Sequence, residues 1–117
     1  MSSVNIKMIG NGTKSIQSLA VELVNGIRAE LVAQTMRNIS GASVVLLSFE
    51  KYYMRTGSYA GLTVMLTEEG NHQTADIIGF GGGGGLFNVS WGANSDFAEM
   101  AQRVLYQYGF RTVETDR

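Results

Sequence analysis

The sequence predicts an α+β fold, a two-layer sandwich in which an antiparallel sheet of about four to five strands carries two helices packed on one face. Three observations carry this expectation. Apolar residues recur at three- and four-residue steps in two stretches: Ile16, Leu19, Ala20, Leu23, Ile27 and Leu31 in the first, and Phe97, Met100, Ala101, Val104, Leu105 and Tyr108 in the second. Between them the period falls to two and the residues become β-branched and aromatic. The polar, glycine-containing segments that separate the alternating runs are short, which implies hairpins. Two helices with one apolar stripe each are best buried against the same face of one sheet.

In chain order, Val4 to Ile9 alternates, with Val4, Ile6 and Met8 on one side and Asn5 and Lys7 on the other, before Gly10-Asn11-Gly12. That pattern is a short strand ending in a turn, or a disordered tail. Thr13 or Ser15 can then cap a helix, because a hydroxyl accepts from the free amides of a first turn. The first stripe makes this a long N-terminal helix, with Lys14, Glu22, Arg28 and Arg37 for its wet side and Asn38, Ser40 and Gly41 to end it. Gly26 inside it marks close packing or a bend.

From Ser43 to Met54 the residues read as a strand, Arg55 to Ser58 as a turn, and Tyr59 to Thr67 as a second strand with Leu62, Val64 and Leu66 on one face. Glu68-Glu69-Gly70-Asn71 is a hairpin loop, and His72 to Phe80 a third strand with Ala75, Ile77 and Gly79 on one face. Leu86 to Trp91 is a fourth strand. Asn94 or Ser95 caps the C-terminal helix, Asp96 and Glu99 set negative charge near its N-terminal dipole, and Gly109 sits where a left-handed helix-ending residue belongs. Phe110 to Val113 adds a last edge strand. The whole chain, residues 1–117, is expected to be one domain.

Composition bounds what such a domain does. The chain has 117 residues, 44% hydrophobic and 16% charged, enough to bury roughly two thirds of its unfolded surface. It has no cysteine and no proline, which excludes disulfide staples, thiolate metal sites, cysteine nucleophiles and proline-rich docking segments. Nine basic against ten acidic residues leave a net charge of −1, so no global field attracts nucleic acid or anionic lipid. The longest purely apolar run, Val44 to Leu47, is too short to cross a bilayer, and no basic segment followed by an apolar stretch opens the chain. A soluble, cytoplasmic protein without a nucleic-acid or membrane partner is the expectation.

Five of fifteen glycines are consecutive, Gly81, Gly82, Gly83, Gly84 and Gly85. Glycines let backbone amides approach an anion, so the run could cradle a phosphate. The dinucleotide and P-loop patterns need a helix N-terminus directly after the glycines, or a Lys-Ser or Lys-Thr pair, and neither is present. The plainer reading is a glycine-rich strand end or hairpin loop against which a helix or second chain packs closely. Phe49-Glu50-Lys51-Tyr52-Tyr53-Met54-Arg55 interleaves aromatic and charged residues; on a strand Phe49, Lys51 and Tyr53 share one face, and Lys51 and Arg55 could hold an acidic ligand. The plainer reading there is a strand leaving the core with its charges solvated. His72 shares a strand face with Asp76, but two ligands are not a metal site, and no strained serine elbow exists. No catalytic residue, metal or cofactor is expected. Trp91 reads as a packing anchor and the six methionines as core filler.

The segments Phe49-Glu50-Lys51-Tyr52-Tyr53-Met54-Arg55, the glycine run, Ser90-Trp91-Gly92 and Tyr108-Gly109-Phe110 together resemble a family of small uncharacterised bacterial proteins known only as a domain of unknown function. The likeness runs from about the first strand to Phe110. It implies bacterial origin and brings no activity. The leading expectation is a non-enzymatic binding or self-assembly domain, a homodimer or higher homo-oligomer through a sheet edge or the glycine-rich segment. The alternative is a small-molecule or anion binder using Gly81 to Gly85 with Lys51, Tyr53 and Arg55. An enzyme would need a pocket joining His72 to a carboxylate and a hydroxyl.

Overall fold

The computed structural model describes residues 3–81 and 93–116. Gly82 to Gly85, the predicted strand at Leu86 to Trp91 and the packing role given to Trp91 lie outside the described residues. The elements are β1 (Ser3–Gly10), α1 (Ile16–Gly26), β2 (Glu30–Ile39), β3 (Ala42–Tyr53), β4 (Ser58–Glu69), β5 (His72–Gly81), α2 (Ala93–Tyr106) and β6 (Arg111–Asp116). The strands form one six-stranded antiparallel sheet in the order β2-β3-β4-β5-β1-β6. The fold is thus α+β with two helices, as predicted, but with six strands where four to five were expected and with a shorter first helix.

That helix carries the main correction. It has 11 residues, capped by Ser15, whose hydroxyl accepts from the Ser18 amide at 3.2 Å. Ile16, Leu19, Ala20 and Leu23 bury its stripe, and Gly26 is its last residue, against the Val104 side chain. Ile27 is the cap, and Leu31, the last residue of the predicted stripe, is already on a strand opposite Phe49. Ser40-Gly41 is therefore a two-residue hairpin between β2 and β3, with positive φ at both residues, and not a helix end.

β3, β4 and β5 make the predicted meander, and its face pattern holds. Val45, Leu47, Phe49 and Tyr53, then Leu62, Val64 and Leu66, then Ala75 and Ile77 point inward, joined by Val4, Ile6 and Met8 of β1. α1 and α2 close this face with Leu19, Leu23, Phe97, Ala101 and Leu105, all fully buried. Each such valine, leucine, isoleucine, methionine or phenylalanine side chain contributes on the order of 1.5–3 kcal/mol. α2 ends at a Schellman motif: the Phe110 amide donates to the Leu105 carbonyl at 3.1 Å, the Gly109 amide to Tyr106, and Gly109 adopts φ +86°. The predicted last strand is real, and it lies on β1 at the sheet's second edge.

Gln73 is a buried polar residue that sequence reasoning missed. Its amide donates to the Lys14 carbonyl at 2.7 Å and to Glu68 at 2.6 Å, and its carbonyl oxygen accepts from the Gly12 amide at 3.1 Å. It ties the loop before α1 to the β4–β5 hairpin, and every bond it makes satisfies a group that burial would otherwise strand. The methionines are not uniformly core filler. Met8 is buried, whereas Met36 and Met54 are exposed. Among the described residues no helix is long and apolar enough to cross a membrane.

Candidate functional site

The predicted ligand residues Lys51, Tyr53 and Arg55 do come together, at the end of β3 beside the first turn of α2. Strand parity turns Lys51 and Tyr53 to the helix side. Tyr53 is buried against Phe97, ring centroids 6.0 Å apart, and the Lys51 ammonium and Arg55 guanidinium lie 5.7 and 5.8 Å from its ring centroid. Both cations are already engaged: Lys51 donates to the Arg28 carbonyl at 3.0 Å, and Arg55 is ion-paired with Asp96. The Tyr53 hydroxyl is buried and has no hydrogen-bond partner among the described residues. Burial, then the Asp96 carboxylate, raise its pKa against the opposing pull of Arg55. The phenol is thus held protonated at neutral pH, the opposite of what a phenolate nucleophile or base requires. Gly81 ends β5 opposite Ala60, and the rest of the glycine run lies outside the described residues. His72 is exposed at the start of β5, and Asp76 on the same face pairs with Lys7 at 3.4 Å.

The second candidate is the outer edge of β2, which pairs with no described strand other than β3. Nine of its ten residues are exposed and Leu31 is half-buried, so neither helix covers it. Val32, Met36 and Ile39 stand 54%, 44% and 60% exposed. A bulge at Val32 shifts the register against β3 between Leu31 and Ala33. The two edges of the sheet differ in kind. β6 is six residues long and includes Arg111, Glu114 and Asp116, the short charged form by which proteins blunt an edge. β2 is ten residues long and its middle, Leu31 to Met36, has no charge; the bulge is its one protective device. The sheet face turned away from the helices also carries exposed apolar side chains, Val32, Tyr52 and Tyr59 toward this edge and Ile78 and Phe80 further in on β5, with Tyr52 and Tyr59 in edge contact at 5.1 Å. Sequence reasoning missed β2 altogether, although Ser40-Gly41 between two apolar runs is a hairpin signal.

Compared with known proteins, the chain matches one family model, described as a family of unknown function (DUF6054), over residues 1–109. No curated protein matches it.

Proposed function

We infer that this chain, which belongs to the DUF6054 family of unknown function, is a non-enzymatic binding domain that assembles with itself through the outer edge of β2. One observation carries this reading: a ten-residue edge strand, exposed along almost its whole length and uncharged at its centre, on a sheet whose other edge is short and charged. Unpaired N–H and C=O groups along such an edge are a template for another strand. A second copy supplies the matching strand at every concentration at which the protein exists, and isologous pairing is the commonest way in which chains close an assembly. The reading of a small cytoplasmic bacterial protein rests on the absence of cysteine and on the family resemblance; the near-neutral charge supports no nucleic-acid or membrane partner. Light scattering after size exclusion, from low micromolar to about 1 mM protein, is expected to show mass rising from one to two chains. A particle that stays at 12.7 kDa throughout refutes the reading.

A second reading, a small-molecule or anion binder using Lys51, Tyr53, Arg55 and the Gly81 to Gly85 segment, has its own observation: the Tyr53 hydroxyl is buried and unpartnered among the described residues, and two cations, Lys51 and Arg55, lie close to its ring. It ranks lower because Arg55 already has Asp96 and Lys51 already has a carbonyl. Thermal shift against nucleotides, phosphorylated metabolites and acyl carriers is its test. An anion that raises Tm in the natural chain and not in Tyr53→Phe establishes it, and no shift with any of them retires it.

A further inference from the structure

Charge is distributed unevenly along β2. Glu30, its first residue, is the direct cross-strand partner of Glu50 on β3, and both are exposed. Two carboxylates facing each other in this way destabilise a sheet. Arg37, toward the other end, stands opposite Val44. Among the described residues neither glutamate has a cationic partner and Arg37 has no carboxylate. The strand therefore has an acidic end and a basic end, both unpaired. An antiparallel copy reverses that order and sets each end against its opposite.

We propose that two copies pair through β2 about a two-fold axis at Gln34, with Glu30 of each protomer opposite the partner's Arg37, joining the two sheets into one of twelve strands. This rests on the self-association reading above and adds its register. The faces decide it. The pairing of β2 with β3 puts Leu31, Gln34 and Met36 on the side of the buried Phe49, Leu47 and Val45, and Glu30, Ala33, Thr35 and Arg37 on the side away from the helices. With the axis at Gln34, Ala33 meets the partner's Thr35 on the outer face. The bulge then leaves Val32 as the extra residue. Beyond it Leu31 meets the partner's Met36 on the inner face, and Glu30 meets the partner's Arg37 on the outer one. Every pair matches in face, as antiparallel neighbours must. Moving the axis to Thr35 also keeps the faces matched, but it sets Arg37 against the partner's Ala33 and Glu30 against the partner's Ile39, and pairs no charge. Glu50, one strand further in, gives each incoming arginine a second carboxylate.

The test is a charge-reversal cycle on the full chain, with association followed by sedimentation equilibrium and folding checked by circular dichroism. Arg37→Glu turns both attractions at each end of the interface into repulsions, and is expected to raise Kd about tenfold or more. Glu30→Arg in the natural chain weakens association less, since Glu50 still attracts. The same Glu30→Arg added to Arg37→Glu is expected to tighten association, because it restores an opposite-charge pair. High salt should compress all of these differences. The reversal of sign, weakening in one background and tightening in the other, is what this register predicts and an unrelated interface does not. If the chain dimerises but Glu30→Arg changes Kd by the same factor whichever residue stands at 37, the register is wrong and self-association survives. If the natural chain never dimerises, both fail.

Discussion

Gly79→Val is expected to cost well over 3 kcal/mol or to unfold the chain, and Gly79→Ala to cost about 1–3 kcal/mol, both read from urea unfolding. Gly79 lies on the inward face of β5, where α2 crosses the sheet most closely. A Cβ there would sit 2.5 Å from the Asn94 carbonyl oxygen and 3.2 Å from the Ala98 Cβ. The nearer atom is helix backbone, so no rotamer change relieves it, and α2 has to lift as a body. Lifting α2 exposes Phe97, Ala98, Ala101 and Leu105, all fully buried in the native packing. Against a total stability of roughly 5–15 kcal/mol for a domain of this size, that is a large fraction. The effect also grows with side-chain volume, unlike a loss of strand propensity, which would favour the β-branched residue. A valine variant as stable as the natural chain would mean that α2 is not seated on β5 in this way.

The same position shows what the sequence discloses and what it withholds. Gly79 shares parity with Ala75 and Ile77, so its inward face is legible from alternation alone; that a helix carbonyl lies over it is not, because the contact joins residues whose separation nothing local encodes. The meander is legible for the same reason, since Leu62, Val64 and Leu66 alternate with Thr63, Met65 and Thr67 and one face of the sheet is buried. Gly109 is legible because only one backbone conformation ends a helix there at low cost. β2 is hidden by arithmetic. Leu31 follows Ile27 at a four-residue step that a helix and a strand share, and the bulge at Val32 then breaks the alternation that marks a strand, leaving Leu31 and Thr35 on opposite faces. With almost no buried face of its own, β2 also lacks the alternation that would have separated the two. The candidate site divides likewise: Lys51 and Tyr53 share a face by parity, whereas Arg55 with Asp96, 41 residues apart, and Glu30 opposite Glu50 are products of the fold.

That near absence of a buried face makes β2 separable from the stability of the protomer, and the second large effect follows from it. Gln34→Lys combined with Met36→Lys is expected to weaken self-association at least about a hundredfold, leaving a folded monomer. In the proposed register residue 34 lies on the two-fold axis, so a lysine there faces its own copy, and residue 36 faces the partner's Leu31, which would lose its apolar neighbour. The charges of the two copies fall within the roughly 8 Å over which physiological salt leaves them unscreened. Within one protomer neither substitution touches the core: Gln34 is exposed and Met36 is 44% exposed, on a strand that no helix covers. Unfolding at a concentration below the natural chain's Kd should therefore change by no more than about 0.5 kcal/mol for each surface substitution. Glu114→Lys on β6 is the control, a charge change on the other edge that should leave association as it was. Loss of the dimer with the double lysine variant and not with the β6 variant places the interface on β2. Unfolding of the double lysine variant would mean instead that β2 holds the protomer together, and equal loss with both variants would mean that net charge rather than this edge governs assembly.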